Sequence, residues 1–294
     1  MVYKESFPRR AFIAGNYLLL SAVTLLGIIP FIHLLAVSLS SNTAVLAGEV
    51  TLWPRGFTLE AYRFLGQKVD FIRSLGVSLE RVVLGTVINM LLAVLTAYPL
   101  SKEVRQFRFR TFYVWFFAIT MFFGGGLIPT YIVVKETGLM NTIWALVVPG
   151  ALNVWNMIML LNFFRGISKD LQEAALMDGA GHWKLLWSIY LPVSKPAIAT
   201  ILLFTIVGHW NSWFDGILYL NAPEHYPLQT YLSTLVTSMN KSMIGIDDLN
   251  VLQNLSEQTL RTAQIFLGAL PIMLVYPFLQ KHFTKGITIG SVKE

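Results

Sequence analysis

The sequence predicts an all-α membrane protein, a polytopic helix bundle with six transmembrane helices and a helical loop on the cytoplasmic side. Of its 294 residues, 55% are hydrophobic and 13% are charged, about half the charged fraction of an ordinary soluble domain. The mean hydropathy is +0.60. Apolar runs of about 20 residues, enough to cross a bilayer as a helix, recur along the chain. We therefore expect a single transmembrane domain over residues 1–294.

Six apolar runs have the length of a transmembrane helix. The first follows Arg9 and Arg10 and lacks the small-residue cleavage site of a signal peptide, so we interpret it as a retained span. Proline within several runs frees backbone groups that only neighbouring helices or cavity water can satisfy, which favours a packed bundle. The predicted spans cover residues 11–39, 82–100, 112–134, 142–164, 197–220 and 263–283.

Lysine and arginine predict the orientation of the spans. If both termini are cytoplasmic, the cytoplasmic segments contain 14 of the 22 basic residues, as the positive-inside rule requires. The basic residues are scattered between apolar runs instead of being gathered on one soluble face. That scatter excludes a nucleic-acid-binding surface. We expect both termini in the cytoplasm and membrane lipid around the spans.

The loop 165–196, between the fourth and fifth predicted spans, is unusually polar for the second half of the chain. It predicts a first helix over 170–177, a break at Gly179 and Gly181, and a second helix that Pro192 ends. By shape alone, these two helices could form a compact knob that another protein contacts or an amphipathic hairpin that lies on lipid, and the two interpretations fit equally well. The apolar face of the second helix is predicted to contain Trp183, Leu186, Trp187 and Tyr190.

The residue spacing in this loop resembles the "EAA" signature of ABC importer permeases. Glu-Ala-Ala at 173–175 is followed after three residues by Gly179, and after nine more by Ile189, one residue and Leu-Pro at 191–192. Several residue types at fixed spacing make this a specific match, whereas the tripeptide alone would carry no weight. The residues carried over from the signature are Glu173, Ala174, Ala175, Asp178, Gly179, Ala180, Ile189, Leu191 and Pro192.

Three further stretches resemble the carbohydrate branch of these permeases, which contains the smaller membrane subunit of the maltose importer. They are AYPLSK at 97–102, FFRGISKDLQEAALMDGA at 163–180 and WNSWFDGILYL at 210–220. Within that branch, the stretch MFFGGGLIPTYIVVKETGLMNTIWALVVPGAL at 121–152 is most similar to the subgroup for complex oligosaccharides. That subgroup includes permeases for alginate-type and pectin-type uronate chains.

The resemblance implies a permease subunit of an ATP-driven oligosaccharide importer in a bacterial cytoplasmic membrane. Its implied partners are a second homologous permease, two ATP-binding subunits, an extracytoplasmic solute-binding protein and the oligosaccharide substrate. In family members the signature loop is the coupling helix, which sits in a cleft of the ATPase. This role implies a charged contact for Glu173, close packing for Ala174 and Ala175, and an elbow at Gly179.

The chain lacks the motifs of an enzyme. It contains no G-x-x-x-x-G-K-[ST] phosphate loop and no Gly-Lys dipeptide, so ATP and magnesium are expected on partner subunits and no cofactor on this chain. The motifs H-E-x-x-H and G-x-S-x-G are also absent, and the five histidines are dispersed. We therefore expect neither catalytic residues nor a metal site.

The fifth predicted span contains polar and aromatic residues that suit a sugar. Polar groups within a span are costly and usually face the bundle interior or a wet cavity. An aromatic belt at the outer interface is the alternative for Trp213 and Asp215. The candidate substrate-pathway residues are His209, Trp210, Asn211, Trp213 and Asp215.

Two other transport functions stay open at this stage, a secondary transporter and an ABC permease for a non-sugar solute. A secondary transporter more often shows inverted repeats and a buried acid for ion coupling. We find no repeat between the halves, and Asp215 is the sole acid within a predicted span. The glycine run 124–126 predicts a helix break or tight packing in preference to a binding site.

Overall fold

The computed structural model describes residues 7–237 and 257–291. Within these ranges the chain is helical and contains no β-strand, which confirms the predicted all-α class. In chain order the α-helices are α1 (Phe7–Ser38), α2 (Asn42–Leu46), α3 (Glu60–Gln67), α4 (Val69–Ser101), α5 (Arg110–Phe122), α6 (Leu127–Glu136), α7 (Ile143–Val147), α8 (Val154–Arg165), α9 (Lys169–Met177), α10 (His182–Leu185), α11 (Leu191–Val193), α12 (Lys195–Asn211), α13 (Phe214–Tyr219), α14 (Leu228–Thr237) and α15 (Glu257–Ser291). A π-helical turn, Leu186–Tyr190, joins α10 to α11, and a 3₁₀ turn, Pro223–His225, precedes α14.

The chain divides into two compact units. One comprises Met1–Val69 with Leu235–Leu270, and the other comprises Asp70–Thr234 with Pro271–Glu294. Both units are built from helices where the structure describes them. The single transmembrane domain expected from the sequence stays a prediction.

Three stretches of described helix are long and apolar enough to cross a membrane: Phe7–Ser38, Val69–Ser101 and Gln258–Val275. The number rises to five if each of two bent helix pairs is one span. One pair is α5 with α6, bent by 114°, and the other is His182–Val193 with α12, bent by 81°. These lengths and compositions agree with a polytopic membrane protein, but they do not confirm six spans.

The predicted spans 112–134 and 197–220 are not continuous helices. The first is interrupted after Phe122, and helix resumes at Leu127. Gly126 in this gap has a φ of +85°, which residues with a side chain rarely adopt. The glycine run therefore forms the break that the sequence predicts. The second span is interrupted at residues 212–213, between α12 and α13.

The predicted span 142–164 is also not one continuous helix. Helix α7 ends at Val147 and α8 begins at Val154. Pro149 lies in the gap, and proline supplies no N–H for a helical hydrogen bond and restricts the residue before it. Asn153 caps the new helix, since its side-chain oxygen accepts a hydrogen bond from the Asn156 backbone N–H at 3.1 Å.

In the first unit, α1 is exposed along most of its length. Within α1 no residue from Phe7 to Leu35 is buried, as expected for a helix surface that faces lipid or another subunit. The last turn is fixed to the segment that follows, where Ser38 Oγ and Tyr62 Oη form a hydrogen bond of 2.7 Å. His33 Nδ1 donates to the Thr51 carbonyl oxygen at 2.6 Å.

The main core of the second unit lies where the end of α4 meets α8, the loop 165–196 and the start of α12. Side chains from all four segments are buried against one another. This core fixes the loop 165–196 to the ends of three long helices. Its buried residues are Ala97, Tyr98, Leu100, Met157, Leu160, Leu161, Phe164, Leu185, Leu186, Tyr190 and Ile201.

Three of these helices also share a buried polar contact. Asn156 Nδ2 of α8 donates to Thr205 Oγ1 of α12 at 3.2 Å, and Thr205 Oγ1 lies 3.3 Å from Asn89 Oδ1 of α4. All three side chains are buried. Such interhelical hydrogen bonds hold membrane helices together where apolar contacts alone do not distinguish protein from lipid.

Candidate functional site

Two short helical pieces form a hairpin over residues 165–196, hereafter the 165–196 hairpin. Its first piece, α9, covers Lys169–Met177 and confirms the predicted helix at 170–177. Its second piece runs His182–Val193 and includes the π-helical turn. The chain then turns into α12, so the hairpin connects α8 directly to α12.

Gly179 forms the elbow of the hairpin. The N–H of Ala180 donates to the Ala175 carbonyl oxygen at 2.9 Å, and the N–H of Gly179 donates to the Leu176 carbonyl oxygen at 3.0 Å. This pair of bonds is a Schellman motif, which requires a left-handed residue just after the helix. Gly179 fills that position with a φ of +77°. A Cβ there would have open space around it, so only the backbone conformation demands glycine.

The second piece differs from its prediction in two respects. Trp183 and Trp187 are 67% and 63% exposed, whereas Leu186 and Tyr190 of the same predicted apolar face are buried. Pro192 does not end the helix, which continues to Val193. The π-helical turn lies directly before Pro192, and a widened turn is one way to accommodate a residue that has no N–H to donate.

The signature residues divide between an exposed side and a packed side of the hairpin. Ala180 is buried, while Ala175, Ile189 and Leu191 are half-buried against the main core. Met177, which lies between the signature residues Ala175 and Asp178, is 89% exposed. The exposed side therefore offers two carboxylates, those of Glu173 and Asp178, beside apolar groups. The signature residues on that side are Glu173, Ala174, Asp178, Gly179 and Pro192.

A buried ammonium group ties this hairpin to α4. Lys102, the first residue after α4, is 6% exposed. Its Nζ donates to Gln172 Oε1 at 3.0 Å and to Tyr190 Oη at 2.8 Å. The same Nζ lies 4.2 Å from the ring centroid of Tyr98 and 4.0 Å from that of Tyr190. The burial of Lys102 was not predicted from the sequence, because a lysine beside a predicted cytoplasmic loop is ordinarily solvated.

Burial shifts the pKa values of this cluster in opposite directions. Desolvation lowers the pKa of Lys102 to about 8 and raises the pKa of Tyr190 above its usual 10.0. A pocket of about 290 Å³ lies beside Lys102. It is lined by Leu95, Tyr98, Pro99, Lys102, Gln106, Phe107, His182, Trp183 and Leu186.

An exposed ion pair adds a second link between the hairpin and the segment after α4. Lys169 of α9 pairs with Glu103. Their hydrogen bond and mutual attraction lower the pKa of Glu103 and raise the pKa of Lys169. Exposed pairs of this kind contribute little to stability.

Asp215, a candidate for the substrate pathway, is held by an arginine. Arg81 is 2% exposed, and its Nη1 lies 3.2 Å from both Asp215 Oδ1 and the Ser212 carbonyl oxygen, while Nη2 also pairs with the Asp215 carboxylate. The carboxylate further accepts from Ser212 Oγ at 2.9 Å and from the Gly216 N–H at 3.0 Å. Arg81 of α4 thus contacts both the Ser212 carbonyl in the break between α12 and α13 and the Asp215 carboxylate in α13, and these contacts hold the backbone of the break in place.

The other pathway candidates do not converge on one surface. Trp210 is 3% exposed, whereas Trp213 is 47% exposed and Asn211 is exposed as well. The His209 ring packs on Gly85 of α4 so tightly that a Cβ at Gly85 would collide with it. A substrate role for these residues stays a prediction.

Arg81 was not predicted from the sequence as the partner of Asp215. It lies 134 positions away in the chain, and nothing local to either residue indicates the pairing. The one available signal is that Asp215 is the sole acid within a predicted span, because an acid at that depth requires a basic partner. Within the described residues, no group of three or more His, Asp or Glu side chains is placed to hold a metal ion.

Residues 90–289 match the family described as "Binding-protein-dependent transport system inner membrane component". The chain belongs to this family. The match includes the whole 165–196 hairpin and the interrupted α12–α13 segment. The permease is therefore a membrane transport component and not an enzyme, as the sequence predicts.

Two relatives from Bacillus subtilis (strain 168) extend this similarity to nearly the full chain. The permease is 40% identical over 286 residues to "Protein LplC", covering 97% of this chain and 95% of LplC. It is also 40% identical over 269 residues to the "Polygalacturonan/rhamnogalacturonan transport system permease protein YtcP", covering 92% of this chain and 93% of YtcP.

A solved structure matches the fold over almost all of the permease. It is described as a bacterial ABC transporter involved in the import of the acidic polysaccharide alginate. The TM-score is 0.88 at 32% sequence identity, and the match covers 96% of this chain and 100% of the other. The permease thus has the architecture of an ABC transporter membrane subunit.

Proposed function

We propose that the permease forms half of the translocation pathway of an ATP-driven importer for oligosaccharides that contain acidic sugars. The supporting observation is its near full-length similarity to two transport proteins whose names specify acidic polysaccharides: the polygalacturonan/rhamnogalacturonan permease and the alginate transporter. The other half is a second, homologous permease. An extracytoplasmic binding protein delivers the sugar.

In this proposal the 165–196 hairpin docks into an ATPase subunit. Its exposed side supplies Glu173 for a charged contact and Met177 for an apolar one. Its packed side is joined to α4, α8 and α12 through the main core. Closure of the ATPase dimer moves the hairpin as a rigid lever, and the attached helices shift between two packed arrangements.

The same proposal states which subunits bind the nucleotide and on which side of the membrane both termini lie. ATP and magnesium bind to the two partner ATPases, because the chain has no phosphate loop. Both termini lie in the cytoplasm with the hairpin, an orientation that the distribution of lysine and arginine supports.

Reconstitution tests the substrate class. The complete importer is assembled in liposomes from this permease, the second homologous permease, the two ATPases and the binding protein. ATP hydrolysis is then measured with added oligosaccharides. We expect oligogalacturonate or oligoalginate to raise hydrolysis severalfold and drive sugar uptake, while malto-oligosaccharides of equal length leave the basal rate unchanged. Stimulation by the neutral chains alone would contradict the acidic-sugar assignment.

Cross-linking tests the docking of the hairpin. The chain contains no cysteine, so Glu173→Cys supplies a single thiol at the proposed contact. We expect this variant to cross-link to the ATPase in assembled importer. Leu91→Cys is the matched control, since Leu91 is 53% exposed but lies within a predicted span. Equal yields from both positions, or none from Glu173→Cys, would contradict docking.

A further inference from the structure

We propose that Lys102 is a positioning residue that fixes the angle between α4 and the 165–196 hairpin, so that movement of the hairpin is transmitted to the membrane helices. The inference rests on the proposed docking of the hairpin to an ATPase. It adds a residue outside the signature to the coupling apparatus.

The first support is the number of segments that one ammonium group joins. Lys102 directly follows the last residue of α4, Gln172 belongs to the first piece of the hairpin and Tyr190 to the second. Nζ donates to both hairpin side chains, at 3.0 Å and 2.8 Å. A rotation of either hairpin piece relative to α4 would break at least one of these hydrogen bonds.

The second support is the position of the Lys102 ammonium relative to two aromatic rings. The rings of Tyr98 and Tyr190 are perpendicular, with centroids 5.0 Å apart. The ammonium lies close to both ring centroids, where cation–π attraction favours it. Lys102 makes no ion pair with any residue in the described part of the chain. The rings and the two hydrogen bonds therefore set its position.

The charge of Lys102 does not stabilise the fold. Burial lowers its pKa from 10.5 to about 8, so between these values the unfolded chain holds a proton that the folded chain has released. Its contribution to stability consequently rises with pH through that window. Replacement of Lys102 by methionine removes the unfavourable contribution of this buried charge to stability. It also leaves Tyr190 Oη donating to Gln172 Oε1 at 2.8 Å, so neither group loses its last partner.

Other titratable groups surround the ammonium. Tyr190 has a raised pKa and keeps its proton above pH 8. Tyr98 Oη lies 3.1 Å from His182 Nδ1, and the exposed Glu103–Lys169 pair joins the residue after Lys102 to α9. The matched control must therefore remove a charge from the hairpin without touching this cluster. Lys184→Met does so, because Lys184 is exposed.

The functional experiment measures sugar transported per ATP hydrolysed in the reconstituted importer. We expect Lys102→Met to have the wild-type apparent melting temperature. Its ratio of sugar transported to ATP hydrolysed should be about tenfold lower, because a tenfold change corresponds roughly to the free energy of one hydrogen bond to a charged group. In wild type the ratio falls between about pH 7 and pH 9. In Lys102→Arg, which stays charged, it does not fall, and Lys184→Met follows wild type. Wild-type coupling in Lys102→Met at both pH values would overturn the inference.

A distance measurement separates this inference from the proposed function. Spin labels on Leu91→Cys and Ser188→Cys report the angle, because Leu91 is an exposed residue of α4 and Ser188 is an exposed residue of the hairpin. We expect a broader distance distribution in Lys102→Met, and in wild type at about pH 9, than in Lys102→Arg. Identical distributions would overturn the role of Lys102 even if Glu173→Cys cross-links. A failed cross-link with the expected distributions would overturn docking alone.

Discussion

A Gly179→Val permease is expected to insert and assemble but to transport about tenfold less sugar per ATP hydrolysed. Gly179 has a φ of +77°, and an L-residue in this left-handed region costs about 1–2 kcal/mol, more for a β-branched side chain. That strain displaces the turn and changes the direction of the helix that follows. About 1.4 kcal/mol is enough to shift a population tenfold. Reconstituted transport and ATP hydrolysis measure the effect.

Gly181→Val is the matched control for the elbow. Gly181 lies two residues away with a φ of −73°, and a Cβ there also has open space. Its valine variant should retain wild-type coupling, and Gly179→Asn should fall between the two, since asparagine tolerates the left-handed region. If the two valine variants behave alike, the elbow is not what couples the hairpin to transport.

Arg81→Met is expected to destabilise the permease by about 3 kcal/mol. Removing one partner of a buried ion pair typically costs about 3–5 kcal/mol, and the lower end applies because the Asp215 side chain is 25% exposed. The break between α12 and α13 would also lose its brace. The expected observation is a markedly lower apparent melting temperature of the assembled importer in detergent.

A second arginine provides the control for this substitution. Arg73 pairs with Glu224 at 3.9 Å with both side chains exposed, so Arg73→Met should change stability by less than about 1 kcal/mol. The double variant Arg81→Met/Asp215→Leu should recover much of the lost stability. If the double variant is stable but transports no sugar, Asp215 contacts substrate in addition to bracing the backbone. Equal melting temperatures for the two arginine variants would contradict the brace.

Local features of the hairpin were predictable because they depend on neighbouring residues. The first helix and the elbow at Gly179 follow from propensity and spacing, and the structure confirms both. The exposure of Trp183 and Trp187 was not predictable in this way. Periodicity finds an apolar face but not which neighbours cover it, and the core residues that bury Leu186 and Tyr190 come from distant segments.

Contacts between distant segments account for what the sequence did not predict. Arg81 with Asp215, and Lys102 with Tyr190, are separated by 134 and 88 positions. Breaks in the predicted spans are a different case. Pro149 and the glycine run mark two of them in the sequence, but the break at 212–213 coincides with neither proline nor glycine. There the Asp215–Arg81 pair and the Ser212 carbonyl compensate for the missing helical bonds.

The contact of Thr205 with Asn89 and Asn156 has a consequence for biogenesis. Ribosomes make proteins from the N-terminus, so both asparagines emerge before the threonine that joins them. Until then, neither amide can form its hydrogen bond to Thr205, and each is costly to release into hydrocarbon alone. The hydrogen bonds that join α4 and α8 through Thr205 are therefore completed only after α12 has been made.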